Sequence, residues 1–180
     1  MQGWPYRLIA GSLIVLAAAP ATADVLSEFV QPVPGPGSCW KRTYTDDHLA
    51  RHPRQKVTEM RFLLQNWRGE YGFDMDIATR EQAGTITGSC SAEPDGSALC
   101  AVSCDDGVIL LKKSGDDGSI LVEIGEAGRL LVNARCEASE GAPPFEMEAE
   151  PDDTRFLLRP TSVQTCTVQP FKPFLDHRGD

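Results

Sequence analysis

The sequence predicts an all-β fold: an antiparallel meander of about ten strands that closes into a barrel or a sandwich, with one short N-terminal helix and disulfide staples. Two observations carry this prediction. The first is a ladder of tight-turn signals spaced eleven residues apart, at Asp95-Gly96, Asp106-Gly107 and Asp117-Gly118, with Gly128 ten residues further on. The second is an even number of cysteines, six, in a chain whose start has the pattern of an export signal.

The first 23 residues have the order of a secretory signal peptide. Arg7 gives a basic start, and the apolar run over residues 8–19 is too short to span a bilayer as a helix. Ala21-Thr22-Ala23 has the small-residue pattern of a cleavage site. We therefore expect cleavage before Asp24, no membrane span in the mature protein, and a periplasmic or secreted location.

Residues 24–38 form a predicted leader that is rich in proline and glycine. Leu26, Phe29 and Val30 are apolar side chains that can dock on the body of the protein. The alternation of Pro and Gly that follows them excludes a stable helix. We expect a single β domain over residues 39–170 and a C-terminal tail over residues 171–180.

The strands are predicted in order along this domain. Residues 39–44 have the aromatic and β-branched content of a first strand, and Thr45 can cap a helix of about two turns that Pro53 ends. Tyr71, Phe73, Met75 and Ile77 then alternate with small or polar residues, which indicates a strand with one buried face. Segments rich in Val, Ile and Leu predict further strands over residues 98–104, 108–113, 119–124 and 129–136, and two short ones over 155–160 and 163–170.

The turn at Asp95-Gly96 fixes a register for one hairpin. If residues 94–96 form a three-residue loop, Glu93 faces Ser97, and counting outward places Cys90 opposite Cys100. Opposed residues of an antiparallel pair are close enough for a disulfide, so we expect Cys90 to bond Cys100, with Cys104 as its alternative after a slip.

The other cysteines are less constrained. All six, Cys39, Cys90, Cys100, Cys104, Cys136 and Cys166, lie in the mature part and indicate three disulfides. A simple meander puts Cys104 and Cys136 at opposite ends of the sheet. Cys39 and Cys166 therefore pair with them or with each other.

Charge and motifs limit the functional classes. The chain has 26 acidic and 17 basic side chains and a formal net charge of −9, which disfavours binding to nucleic acid. The motifs of serine hydrolases, zinc peptidases, phosphate-binding loops and dinucleotide-binding folds do not occur. We expect no enzymatic activity and no cofactor.

Two groups are candidate metal ligands. His48 and His52 have the i, i+4 spacing that puts two imidazoles on one helical face, and Asp46, Asp47 or His177 would have to complete a site. Asp74 and Asp76 share a strand face, where alternation alone accounts for two solvated carboxylates.

An acidic segment over residues 137–153 contains seven carboxylates and no basic residue. We expect an exposed, poorly packed loop, since mutual repulsion opposes its burial. Glu146, Glu148 and Glu150 are the candidate contacts for a cationic protein partner.

Two resemblances follow from local patterns. The stretch Cys39-Trp40-x-Arg42-x-Tyr44, with His48-Leu49 and His52-Pro53-x-Gln55-x-Val57 after it, is similar to the opening of small exported bacterial proteins that have no assigned function. Gly37-x-x-Trp40 resembles the G-x-W start of lipocalins, with one residue more between glycine and tryptophan. The lipocalin resemblance implies an apolar cavity inside a barrel.

The sequence as a whole predicts an exported, non-enzymatic binding protein. Its ligand is either a small apolar molecule inside the barrel or a cationic protein on the acidic surface. The alternative is a periplasmic metal-binding protein that uses His48 and His52.

Overall fold

The structure is a computed structural model that describes residues 25–30, 37–125, 128–133 and 143–166. The predicted signal peptide and C-terminal tail lie outside these ranges, and so do residues 31–36 of the predicted leader. Within the ranges, no helix has the length and apolar character needed to cross a bilayer.

Eight antiparallel strands form a closed barrel, and two more form a separate small sheet. The strands are β1 (Ser38–Thr43), β2 (Val57–Trp67), β3 (Glu70–Thr79), β4 (Ala83–Ala92), β5 (Ala98–Val102), β6 (Val108–Ser114), β7 (Ser119–Ile124), β8 (Arg129–Val132), β9 (Phe145–Glu148) and β10 (Arg155–Thr161), with helices α1 (Val25–Phe29) and α2 (Asp46–Arg51). Strands β1 to β7 follow one another around the barrel, and β10 closes it between β7 and β1. The predicted all-β meander is confirmed, and it closes as a barrel.

The register predicted for one hairpin is also confirmed. Cys90 pairs with Cys100 across β4 and β5, and the two form a disulfide. Gly96 has a φ of +83°, and Glu93 donates to the carbonyl of Ser97 at 2.9 Å, as the three-residue loop requires. The glycines of the other Asp-Gly turns likewise have positive φ, which is why glycine stands there.

Side chains fill the interior of the barrel. The rings of Phe62 and Phe73 stack with centroids 5.3 Å apart, and Trp40 lies 6.5 Å from Phe62. A Cβ at Gly88 would lie 2.7 Å from the Phe73 ring, so this glycine makes room for it. The other inward residues of the core include Met60, Leu64, Met75, Ile77, Ile109, Leu111, Ile120, Val122, Phe156 and Leu158. An eight-stranded barrel is just wide enough for side chains to fill it.

The hairpin end of the barrel is the end that carries the β2–β3, β4–β5 and β6–β7 turns. Helix α1 closes it with Leu26 and Val30, which are buried in the main core, as the sequence predicts. Phe29 packs edge-on against Trp40 at 5.9 Å, and its carbonyl accepts a hydrogen bond from Ser38 Oγ at 2.6 Å. The folded body therefore begins before residue 39, inside the predicted leader.

The lidded end is the opposite end, where the β8–β9 sheet and α2 lie. Leu130, Val132, Phe145 and Met147 point from the small sheet into the barrel core. Two predictions are wrong here. The strand predicted over 129–136 pairs with β9 and leaves the meander, because its apolar side chains cover the open end of the barrel. The acidic segment is a packed element over 145–148, and its residues 137–142 lie outside the described ranges.

A third correction concerns the end of the domain. Residues 163–165 form a single 3₁₀ turn in place of the predicted strand, and residues 167–170 lie outside the described ranges. The turn places Cys166 beside β1, where it forms a disulfide with Cys39. Val163 and both cysteines pack on the outward side chain of Leu63.

Candidate functional site

The two histidines of α2 form part of a stacked column at the lidded end. Thr45 caps the helix as predicted and accepts a hydrogen bond from the His48 amide. The His48 ring stacks on His52 at 4.3 Å and on Tyr44 at 4.8 Å, and the guanidinium of Arg42 lies 4.8 Å from the Tyr44 ring centroid. The i, i+4 spacing thus brings the two imidazoles together face to face.

Hydrogen bonds fix the orientation of His48. Its Nε2 lies 2.9 Å from Oε1 of Gln55, and Nε2 of Gln55 donates to the Val57 carbonyl at 2.9 Å. Gln55 thus presents an acceptor, so His48 Nε2 carries a proton and donates. Burial raises the pKa of Tyr44 in this column, against the opposing charge of Arg42.

This geometry bears on the predicted metal site. A metal ion on His48 Nε2 would have to displace Gln55, since a metal ligand needs a free lone pair on that nitrogen. No group of three or more His, Cys, Asp or Glu side chains in the described ranges is arranged to hold a metal ion. Asp46 and Asp47 are exposed in the first turn of α2, and His177 lies outside the described residues.

Asp153 ties the lid to the barrel wall. Its side chain is fully buried and accepts the backbone amides of Lys56 at 2.6 Å and Val57 at 3.3 Å. Burial raises the pKa of Asp153, although the two amides and Lys56 act in the opposite direction. The carboxylate at the end of the predicted acidic loop is therefore a structural group.

The three predicted partner contacts have different surroundings. Glu146 and Glu148 are exposed on β9, and Glu146 lies 3.6 Å from Arg129 of β8. Glu150 lies beyond the strand and is 3.5 Å from Lys56. Basic residues of the chain itself therefore neutralise two of the three carboxylates in part.

The hairpin end carries an exposed aromatic residue that the sequence did not single out. Trp67 is 38% exposed at the end of β2, and the guanidinium of Arg68 lies 5.8 Å from its ring centroid. Arg68 and Gly69 both have positive φ, and Asn66 Oδ1 accepts the Gly69 amide at 3.2 Å, which fixes a tight two-residue turn. Alternation puts Leu63 and Trp67 on the same outward face, but only Leu63 is covered by other residues.

Exposed carboxylates lie at the three turns of the hairpin end. Glu70, Asp95 and Asp116 are exposed near the three turns, and no salt bridge within the described residues neutralises them. Asp117 pairs with Arg159 at 3.4 Å, and Glu28 of α1 pairs with Lys113. Each of the three turns therefore carries an exposed carboxylate without a salt bridge among the described residues, and Trp67 and Arg68 lie at one of these turns.

An open cleft of about 600 Å³ lies beside α1 at the same end. Phe29, Trp40 and Pro160 line it, together with Glu28 and Asp116. It is a surface cleft outside the filled interior.

The cysteines complete the predicted set of site residues. Cys39 bonds Cys166, and Cys90 bonds Cys100. Cys104 is also disulfide-bonded, and none of the described cysteines is free. Cys136 lies outside the described residues.

Comparison of the chain with protein-family models, with curated proteins and with solved structures finds no match. Function must therefore be inferred from the residues of this chain.

Proposed function

We propose that this is an exported, non-enzymatic binding protein that docks a cationic protein partner on the hairpin end of its barrel. The N-terminal signal pattern and the disulfides support export. One observation carries the binding site: Trp67 is exposed at the end of the β2–β3 hairpin, where it pairs with the exposed Glu70.

The filled barrel favours binding on the exterior. Carriers of small apolar ligands hold them in a concave chamber of several hundred Å³. Here Phe62, Phe73 and Met75 occupy the middle of the barrel and are almost fully buried. Both ends are covered as well, by α1 and by the β8–β9 sheet.

Trp67 and Arg68 are suited to anchor a protein partner. Tryptophan and arginine dominate binding energy at protein interfaces, where a few central residues supply most of the affinity. The turn that holds them is fixed by the side chain of Asn66, so little conformational entropy is lost when a partner binds.

The charge of the hairpin end indicates the chemistry of the partner. Glu70 pairs with Trp67 across the β2–β3 hairpin, and Asp95 lies in the turn of the neighbouring β4–β5 hairpin. No salt bridge within the described residues neutralises either carboxylate. Their field attracts a basic surface and accelerates its association, and salt weakens that effect. We therefore infer a partner with lysine or arginine side chains around an apolar pocket that takes the indole.

A pair of matched variants tests this proposal. Trp67 and Leu157 are the two exposed large apolar side chains in the described ranges, at 38% and 37%, and Leu157 lies on the barrel wall. The tagged protein and its Trp67→Ala and Leu157→Ala variants are purified from the envelope of the native cell, and the proteins that co-purify are identified. We expect a basic protein that the unmodified chain and Leu157→Ala retain at low salt and that Trp67→Ala loses.

The co-purified protein is then purified and its affinity measured. Trp67→Ala should weaken binding at least tenfold, since central aromatic residues contribute about 2 kcal/mol or more. Retention of an acidic protein, equal affinity of both variants, or extraction of a lipid from the barrel would contradict the proposal.

A further inference from the structure

We infer that the outer edge of β9 is a second binding site, which adds an extended basic peptide segment as a third strand of the lid. The site is separate from the hairpin end and uses main-chain hydrogen bonds together with Glu146 and Glu148.

The register of the lid shows which backbone groups face outward. Leu131 pairs with Glu146, and the Leu131 amide donates away from β9, to the Asp106 carbonyl at 3.0 Å. In an antiparallel ladder, both residues of such a pair point their N–H and C=O groups away from each other. The N–H and C=O of Glu146 therefore point away from β8, and the alternation gives the Glu148 amide the same direction.

This edge is open along the described chain. β8 shares its outer side with the barrel, through Leu131 and through Asn133, whose amide donates to the Thr85 carbonyl at 3.2 Å. Among the described strands, β9 pairs only with β8. One outward group is used locally, because the Glu148 carbonyl accepts the Glu150 amide at 2.9 Å. Within the described residues, the Glu146 N–H and C=O and the Glu148 N–H have no backbone partner and are available to an added strand.

The side chains of β9 select the occupant. Phe145 and Met147 point into the core, so Glu146 and Glu148 share the exposed face of the lid. A strand added at this edge places its alternate side chains beside those two carboxylates, where opposite charges attract and like charges repel. A lysine or arginine at every second position fits, and an acidic or neutral segment does not.

The same charges disfavour pairing with a second copy of this chain. Two β9 edges that met would bring the glutamates of one copy next to those of the other, and acidic short edge strands are a known protection against self-association. A basic segment is exempt from that repulsion. Arg129 lies 3.6 Å from Glu146 and competes with a basic peptide for this carboxylate.

Short blocked peptides test the inference on the full chain. The probe alternates lysine with valine, one control alternates glutamate with valine, and a second control is the lysine peptide methylated on alternate backbone nitrogens. We expect the lysine peptide alone to bind and to slow hydrogen exchange at the Glu146 and Glu148 amides. N-methylation keeps the charge and removes the strand pairing, so it should abolish both effects.

Variants separate charge from backbone. Glu146→Gln and Glu148→Gln should each weaken the lysine peptide about threefold, and Glu150→Gln, off the strand, should leave it unchanged. Arg129→Ala should strengthen it about twofold, because it releases Glu146. Glu146→Pro removes an outward N–H that β8 does not use, and should weaken the peptide further than Glu146→Gln does.

Each outcome of these experiments either supports or overturns strand addition at β9. Equal binding of the methylated and unmethylated peptides would show attraction without strand addition and would overturn the inference, as would concentration-dependent dimers joined through β9. Trp67→Ala should leave peptide binding unchanged. Loss of peptide binding in that variant would also overturn the separate site, whereas failure of the peptide alone leaves the hairpin-end proposal standing.

Discussion

The hairpin end and the lidded end close the same barrel by different means. At the hairpin end the five-residue helix α1 inserts Leu26 into the core, Val30 directly after it does the same, and disulfides join the chain nearby. At the lidded end a small sheet is held by specific hydrogen bonds to backbone groups of the barrel, among them those of Asp153. Both closures bury apolar side chains in the core, but disulfides reinforce the first, and hydrogen bonds to backbone groups reinforce the second.

The two ends also differ in the kind of binding surface that they present. The covalently fixed hairpin end presents Trp67 in a turn with little freedom, as an anchor for a folded partner requires. The lid presents a free strand edge, which suits an extended segment.

The largest expected effect is at the hairpin end. The Cys39–Cys166 disulfide spans a sequence separation of 127, and Cys90–Cys100 spans 10. In the chain-entropy model the free energy of unfolding falls by about 5 kcal/mol in the double alanine variant of the first pair and by about 3 kcal/mol for the second. Denaturant unfolding measures both, and the reverse order would show that native contacts outweigh chain entropy.

Peptide mapping without reduction accompanies these measurements. Cys104 is disulfide-bonded, and the other four described cysteines bond each other in two pairs. We therefore expect Cys104 to bond Cys136, the one cysteine left by these assignments. A peptide that joins Cys136 to any other cysteine would contradict this assignment.

The closures differ in how far the sequence predicts them. The sequence predicts that Leu26, Phe29 and Val30 can dock, because they are apolar side chains in a short segment before the run of Pro and Gly. The lid is harder to predict, because the seven carboxylates of residues 137–153 favour an exposed loop. The alternation Phe145-Glu146-Met147-Glu148 was the available signal for a strand with one buried face.

The sequence predicts the parts of the candidate sites that are local along the chain and does not predict those that depend on distant segments. The Cys90–Cys100 register followed from one turn, since the turn and both strands are contiguous in sequence. Exposure of Trp67 could not be predicted, because Leu63 on the same face is buried by Val163 and Cys166 from the far end of the chain.

Each end of the barrel is sealed in part by a buried leucine. Leu130 of the lid and Leu26 of α1 are both almost fully buried. Leu130→Ala should lower the free energy of unfolding by about 3 kcal/mol, and Leu26→Ala by about 2 kcal/mol, because a short helix can shift to fill part of the cavity. Hydrogen exchange should then speed up at the Leu131 and Asn133 amides in the first variant only. Equal acceleration at both ends would show that the closures are coupled.

At each end, the side chain of one polar residue forms hydrogen bonds that hold the closure in place. Asp153→Ala leaves the amides of Lys56 and Val57 buried without an acceptor and should cost about 2 kcal/mol. Ser38→Ala removes the hydrogen bond to the Phe29 carbonyl, at a partly buried site, and should cost about 1 kcal/mol. Asp153→Asn keeps one acceptor and serves as the matched control with an intermediate loss. Thermal unfolding of the three variants gives the ranking, and an equal cost for Ser38→Ala and Asp153→Ala would remove the distinction between the ends.

The barrel wall between the ends gives the smallest effect and the clearest pH dependence. Asp74 pairs with Leu63 of β2 and Thr87 of β4. Burial raises the pKa of Asp74 from 3.8 to about 6, and the negative charge of Asp76 adds to the shift. Between these two values the folded protein binds the proton more tightly than the unfolded chain does, so the free energy of unfolding falls as the pH rises from 3.8 to about 6. Asp74→Asn removes this fall and should raise stability at pH 7 by about 1 kcal/mol after allowance for solvent screening.

The expected change in stability is opposite in sign to that of Asp153→Asn, although burial raises the pKa of both carboxyl groups. Two backbone amides donate to Asp153, whereas among the described hydrogen bonds no backbone amide donates to Asp74. Carboxyl-carbon NMR titration follows Asp74 directly, and Asp76→Asn should lower its pKa. A titration of Asp74 at or below its ordinary value, or a loss of stability in Asp74→Asn at pH 7, would contradict this account of the wall.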